Sequence, residues 1–167
     1  MTEEQTAKYR SHVEPMLQPG EQLLDIAVVV PMKGARSVGL GATRAVGQAI
    51  AAIGAVKGGP GSIADAFPSS QEGWYHLLCV TDRRVFLVLS PPGHSEARVA
   101  KGLSPPPRLA WQVARASVVG VDRRPRLQLM AKFRVHFVDG SSVSVLTMRR
   151  RTLESLARIL GDAPSGK

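Results

Sequence analysis

Two apolar runs, Trp74–Val80 and Val85–Leu89, flank the four polar residues Thr81-Asp82-Arg83-Arg84. Each run is too short for an ordinary helix and is rich in β-branched and aromatic side chains, so the pair predicts a β-hairpin. Asp82 suits the turn, because its short carboxylate can bond backbone amides a residue or two ahead. Both faces of the hairpin are apolar: Tyr75, Leu77, Cys79 and Phe86 form one set, and Trp74, Leu78, Val80, Leu87 and Leu89 the other. Such a hairpin lies centrally and is covered on both sides.

The flanking pattern supplies the other elements. Thr2 and Gln5 have capping-box spacing, Glu3 and Glu4 put negative charge at a helix start, and Tyr9, Val13 and Met16 or Leu17 form a helical stripe. Pro15 ends that helix near Val13. After the Pro19-Gly20 turn, Glu21–Val30 reads as a strand with Leu24, Ile26, Val28 and Val30 on one face and Leu23, Ala27 and Val29 on the other. Pro91–Arg108 reads as a long exposed loop. Leu109, Trp111 and Val113 mark a strand, and Ser117–Asp122 another. From Leu127 to Phe137, Leu127, Leu129, Ala131, Phe133, Val135 and Phe137 share one face, while Gln128, Lys132, Arg134 and His136 share the other. That alternation predicts one face on a core and one in water. Asp139-Gly140 predicts a tight type I′ hairpin, with Ser141–Met148 pairing back. A helix over Arg150–Leu160 presents Leu153, Leu156, Ala157 and Leu160, stops at Gly161, and leaves 162–167 as a frayed tail.

Met32–Pro68 breaks the pattern, being dominated by glycine and alanine. Val46, Ala49, Ile50, Ile53 and Val56 share a helical face, which predicts a short amphipathic helix over 42–56. Five glycines from Gly34 to Gly54, each costing about 1 kcal/mol in a helix interior, make it weak alone. Its apolar core, Ala49–Val56, falls far short of the roughly 20 residues a membrane span needs. The segment covers a sheet edge or packs on a partner chain, lies as a cationic strip on anionic membrane, or is plainly disordered.

Composition adds charge to this picture. The chain of 167 residues is long enough for one well-packed domain, and its formal net charge of +9 favours phosphate-bearing partners, either anionic lipid or nucleic acid. Cys79, the only cysteine, sits in an apolar strand, so no intramolecular disulfide forms. With Glu3 and Glu4 in place of a basic-then-apolar leader, the expected location is cytoplasmic.

Three marks, Pro19-Gly20-Glu21 after a leading helix, Thr81-Asp82-Arg83-Arg84 between two strands, and Asp139-Gly140 before a closing helix, resemble the bacterial pleckstrin-homology (PH) domains. The resemblance covers residues 19–161 apart from the insert at 32–68 and the proline loop at 91–108. It implies a mainly β fold: a PH-like, seven-stranded, antiparallel, partly open barrel capped by a C-terminal helix. An N-terminal helix over 1–18 precedes it, and the Gly/Ala-rich helical insert lies between strands 1 and 2. PH-like domains are mostly binding modules, and those that hold phosphoinositides usually carry an Arg-x-Arg-like pair on the second strand. This chain has Trp74-Tyr75-His76-Leu77 there, which argues against stereospecific inositide binding.

Chemistry is sparse. His12, His76, His94 and His136 fall in separate elements with no second ligand at helical or hairpin spacing, and one cysteine cannot build a zinc cluster. Gly39-Leu40-Gly41 does not complete a dinucleotide fingerprint. The expectation is no enzyme, no metal and no cofactor. What remains is basic: Lys33, Arg36, Arg44 and Lys57 in the insert, Arg123, Arg124 and Arg126 at one hairpin end, with Lys132, Arg134 and Arg149–Arg151 nearby. The first seven are the candidate anionic-ligand residues. The leading expectation is a binding module acting at the inner membrane surface or on a protein partner. The alternatives are nucleic-acid binding through the arginines, disfavoured because the aromatics belong to strands, and self-association through the Gly/Ala helix.

Overall fold

The computed structural model describes residues 3–33, 55–71, 74–93, 95–123, 131–147 and 150–161. Helix α1 (Glu3–Val13) runs into a 3-10 turn at Glu14–Met16, where Pro15 interrupts the helical ladder. Strands β1 (Leu23–Pro31), β2 (Val56–Lys57), β3 (Tyr75–Thr81) and β4 (Arg84–Ser90) follow. Helix α2 (Glu96–Ala100) interrupts the connection to β5 (Arg108–Ala114). Then come β6 (Val118–Arg123), β7 (Ala131–Phe137), β8 (Ser142–Thr147) and helix α3 (Arg150–Leu160). The described strands form one antiparallel sheet in the order β5-β4-β3-β1-β8-β7-β6, with β2 also paired to β8.

The two-sided apolarity of the central hairpin is explained by two cores. Leu78, Val80, Val85 and Leu87 face inward with Phe133, Val135 and Phe137 of β7, Val143 and Val145 of β8, and Leu153 and Leu156 of α3. On the other face, Leu77, Cys79, Phe86 and Val88 meet Ile26 and Val13, with Tyr9, Met16 and Leu17 packed against them. Helix α1 thus covers one side of the sheet, fixed further by a buried hydrogen bond of 2.7 Å between His12 Nδ1 and Ser90 Oγ. Burial pushes the Cys79 thiol well above its ordinary range, so it behaves as a small core residue. Leu127 and Leu129 lie outside the described residues, as does the insert helix expected over 42–56 except at its end, where Val56 is extended in β2.

Local irregularities correct several expectations. A bulge between Leu23 and Asp25 shifts the parity of β1, so Leu23 joins Ile26 and Val28 on the α1 side and Leu24 is exposed. The extra residue cannot be seen in an alternating pattern. The Asp139-Gly140 hairpin holds three loop residues instead of two. Gly140 N–H bonds the Phe137 carbonyl at 3.0 Å, Phe137 and Ser141 close the loop, and Gly140 takes the left-handed φ of 77°. The face of β7 expected in water is half-buried at Lys132, Arg134 and His136. Alongside it a small cluster of Met32, Ala55 and Leu146, with Val30 against it, continues the apolar surface on that side.

The turn Thr81–Arg84 is tied to the start of β1 by a buried network. Arg84 donates two parallel hydrogen bonds to Glu21, Nε to Oε1 at 2.8 Å and Nη2 to Oε2 at 2.9 Å. The Glu21 side chain is 0% exposed and that of Arg84 10%. Gln18 N–H (2.8 Å) and Thr81 Oγ (2.7 Å) donate to the same carboxylate, and Arg84 also reaches Gln112 and the Met16 carbonyl. Its guanidinium lies 4.6 Å from the Phe86 ring centre. Thr81, not Asp82, caps the local turn, accepting from Arg83 N–H and Arg84 N–H. Asp82 instead accepts from Gln22 N–H at 2.9 Å, far away in sequence. Arg83 leans on the Pro19 and Gly20 carbonyls.

This network fixes the acid response. The Arg84 hydrogen bonds hold the Glu21 carboxyl at about 2 against an ordinary 4.5, with burial opposing. A depressed carboxyl stabilises the fold above its unfolded value, and that contribution is lost as pH falls through the folded value. His76, buried in β3, is kept below its ordinary 6.5 by desolvation, which also favours unfolding as acid charges it. Denaturant titrations should therefore show stability falling first below about pH 6.5 and again between about 4.5 and 2. Arg84→Met should lose about 3–5 kcal/mol at pH 7 and remove the lower step. A variant that keeps the lower step would place it elsewhere.

Candidate functional site

In an antiparallel sheet the connections emerge at alternate ends, and the register sorts them. Pro31 pairs with Val145, Tyr75 with Ser90, Leu89 with Arg108 and His136 with Ser142. The described residues that continue from these pairings, 32–33 and 55, 58–71 and 74, 91–93 and 95–107, and 138–141, therefore lie at one rim. Arg123, paired with Phe133, lies at the end of β6 away from Val118, which pairs with Phe137 beside the β7–β8 hairpin.

The gathered rim is closed by the chain that follows β2. Gly58 takes a φ of 140°, and a Cβ there would stand 2.6 Å from Ser62 Oγ and 2.7 Å from Ser141 Cβ, so only glycine turns the chain this tightly. Residues 62–67 then fold over the β7–β8 hairpin. Asp139 Oδ2 accepts from Ile63 N–H at 2.8 Å, and Ser141 Oγ accepts from Ala64 N–H at 3.1 Å. The other oxygen of Asp139 accepts from Ser141 N–H (2.9 Å) and Ser141 Oγ (2.6 Å). These bonds, the Ser141 hydroxyl first and Ile63 N–H next, hold the Asp139 carboxyl below its ordinary range. The turn delivers Ala64 and Phe67 to the core, with the Phe67 ring 4.8 Å from Trp111 and Trp111 5.9 Å from Phe137. Aromatic side chains fill this end, so an incoming ligand meets a surface.

Cations stand on that surface. Lys57 at the end of β2, Arg98 on α2, and Lys101 just beyond it are exposed. Arg108 donates to Gln71 Oε1 at 3.0 Å and lies 5.7 Å from the Trp74 ring centre in a cation–π geometry. Leu103 (61% exposed) and Val138 (62%) are the most exposed of the large hydrophobics. The two acids on these connections with described bonds are engaged internally. Asp139 holds the turn, and Asp65 accepts from Gly61 N–H at 3.2 Å and faces Lys33 Nζ at 3.7 Å.

The seven cations read from the sequence do not form one site. Lys33 reaches the Asp65 carbonyl as well as its carboxylate, which ties it to the turn. Lys57 stands exposed on the gathered rim. Arg36, Arg44, Arg124 and Arg126 lie outside the described residues, and for Arg123 only the backbone position is described, at the end of β6. Sequence reasoning passed over Arg98, Lys101 and Arg108 because they sit in a proline-rich connection. Ser95 was the available signal: its hydroxyl accepts from Arg98 N–H at 3.3 Å as the cap of α2. Among the described residues, no group of histidine, cysteine and acids is spaced to hold a metal, and no helix is long and apolar enough to cross a membrane.

No family model, curated protein or solved structure matches the chain.

If Asp139 anchors the turn, Asp139→Ala should speed amide exchange at Ile63 and Ala64 on the order of tenfold, while amides of β3 and β4 stay unchanged. Uniform acceleration throughout would show that the residue supports the whole fold instead.

Proposed function

We propose that this chain is a non-enzymatic binding module of PH-like fold that lies on an anionic membrane surface through its gathered rim. The PH-like reading rests on the Pro19-Gly20-Glu21, Thr81–Arg84 and Asp139-Gly140 marks, together with the long antiparallel strands and the closing helix. The observation that carries the membrane reading is the imbalance at the rim. Lys57, Arg98, Lys101 and Arg108 are exposed on connections that also carry the exposed Leu103 and Val138, and against them stand Asp65, paired with Lys33, and Asp139, which keeps its charge on neutral donors. A surface with cations around apolar tips suits a bilayer, whose headgroups take the charge and whose boundary accepts the tips. Because Phe67 fills the barrel end, the reading is of broad surface attachment, with no inositide drawn inside.

Magnitudes make this a modest anchor. Each cation near an anionic leaflet contributes about 1 kcal/mol, so Lys57, Arg98, Lys101 and Arg108 together give roughly a thousandfold preference, screened steeply as salt rises. The full chain should co-sediment with phosphatidylcholine vesicles containing phosphatidylserine, bind those without it far less, and release between low and physiological salt. The combined change Lys57→Gln, Arg98→Gln and Lys101→Gln should weaken binding on the order of a hundredfold with the melting temperature nearly unchanged. The combined change Arg123→Gln, Arg124→Gln and Arg126→Gln, in the connection that follows β6, should weaken it much less. The reverse ranking would place the contact at the arginine end, and tighter binding to plain DNA than to vesicles would favour nucleic acid.

A further inference from the structure

We infer that residues 33–55 are an excursion spliced into a single position of one continuous strand, and that the sheet folds without them. Met32 N–H donates to the Ser144 carbonyl at 3.1 Å, and Ser144 N–H donates to the Ala55 carbonyl at 2.7 Å. In an unbroken antiparallel ladder one residue opposite Ser144 makes both of these bonds. Here the donor belongs to Met32 and the acceptor to Ala55, so two residues distant in sequence share one pairing position.

The register on either side continues as though nothing intervened. Pro31 pairs with Val145 before the break, and Val56 with Val143 and Lys57 with Ser142 after it. Side-chain parity carries through as well. Val29 and Val56 pack with the main core, while Val30, Met32 and Ala55 share the small cluster with Leu146 on the other side. Met32 and Ala55 therefore share a cluster as well as a hydrogen-bonding position. A strand that had evolved around an essential insert would have no need to preserve both register and face across it. The chain after the break is fixed at once by Gly58 and the turn at 62–67, and the chain before it is held where Ser70 N–H donates to the Lys33 carbonyl at 2.9 Å. The splice itself, between Met32 and Ala55, opens at the cationic rim. The inference itself rests on pairing geometry and not on the ligand.

The test compares the full chain with two shortened ones. In the matched fusion Met32 is joined to Val56, which sets Met32 against Ser144 and Val56 against Val143. In the offset fusion Met32 is joined to Ala55, which sets two residues against Ser144 and forces a bulge. The matched fusion should fold cooperatively, keep the Ser144 and Val143 amides slow to exchange, and melt within about 8 °C of the full chain, the loss reflecting the bonds made by Lys33. The offset fusion should melt about 5 °C or more below the matched one. A matched fusion that fails to fold, or that melts no higher than the offset one, overturns the inference. Vesicle binding by the matched fusion, whether kept or lost, does not bear on it, so its failure and that of the membrane reading can be told apart.

Discussion

The buried pair of Glu21 and Arg84 is the interaction on which the arrangement depends. Taking both charges out of water costs several kcal/mol, offset by hydrogen bonds to all four acceptor directions of the carboxylate and from four of the five N–H groups of the guanidinium. The carboxylate receives Arg84 twice, Thr81 and the Gln18 amide, while the guanidinium also meets Gln112 and the Met16 carbonyl. Those partners come from the approach to β1, the β3–β4 turn and the β5 edge, so one cluster sets the relative position of three segments. Asp82 and Arg83 extend it to Gln22, Pro19 and Gly20. The sequence marks that suggested a family thus have a structural task in this chain. Two of the three, Pro19-Gly20-Glu21 and Thr81–Arg84, clasp the beginning of the sheet to its central hairpin, while Asp139-Gly140 holds the turn at the cationic rim.

With one end held by that clasp, the other is closed by different means. Its closure depends on a short turn, on Phe67 against Trp111, and on one aspartate, Asp139, which accepts from Ile63 of the turn and twice from Ser141 of the β7–β8 hairpin. The excursion between Met32 and Ala55 enters here, at a position where the ladder with β8 resumes in register. The two ends thus differ in kind: one is tied by a buried ion pair, the other by hydrogen bonds beneath a surface that carries exposed cations.

Much of the fold was legible because it is written in local periodicity. The central hairpin is apolar on both faces, and the two cores claim those faces as separate sets, Leu78 and Leu87 in one and Leu77 and Phe86 in the other. Phe133, Val135 and Phe137 alternate toward the helix residues Leu153 and Leu156, as their spacing predicted. What was not legible is non-local. The bulge at Leu24 is one residue in a run that still looks alternating, and the partner of Asp82 lies at Gln22. Phe67 sits in a glycine-rich stretch whose composition suggests a loop, yet distant hydrogen bonds from Asp139 and Ser141 carry it into the core. The rim was half legible. Lys57 was chosen for its charge, but Arg98, Lys101 and Arg108 join it only because β4 and β5 run in opposite directions.

The central claim is that one end of this sheet, and not the other, faces an anionic bilayer. Paramagnetic broadening answers it directly: amide spectra of the full chain are recorded on anionic bicelles carrying a spin-labelled lipid. The account predicts that amides of Lys57, Arg98, Lys101, Leu103 and Val138 lose intensity, while those of Gln22, Asp82 and Arg83 keep it. Selective loss at the latter group, or no selective loss at all at low salt, would contradict it.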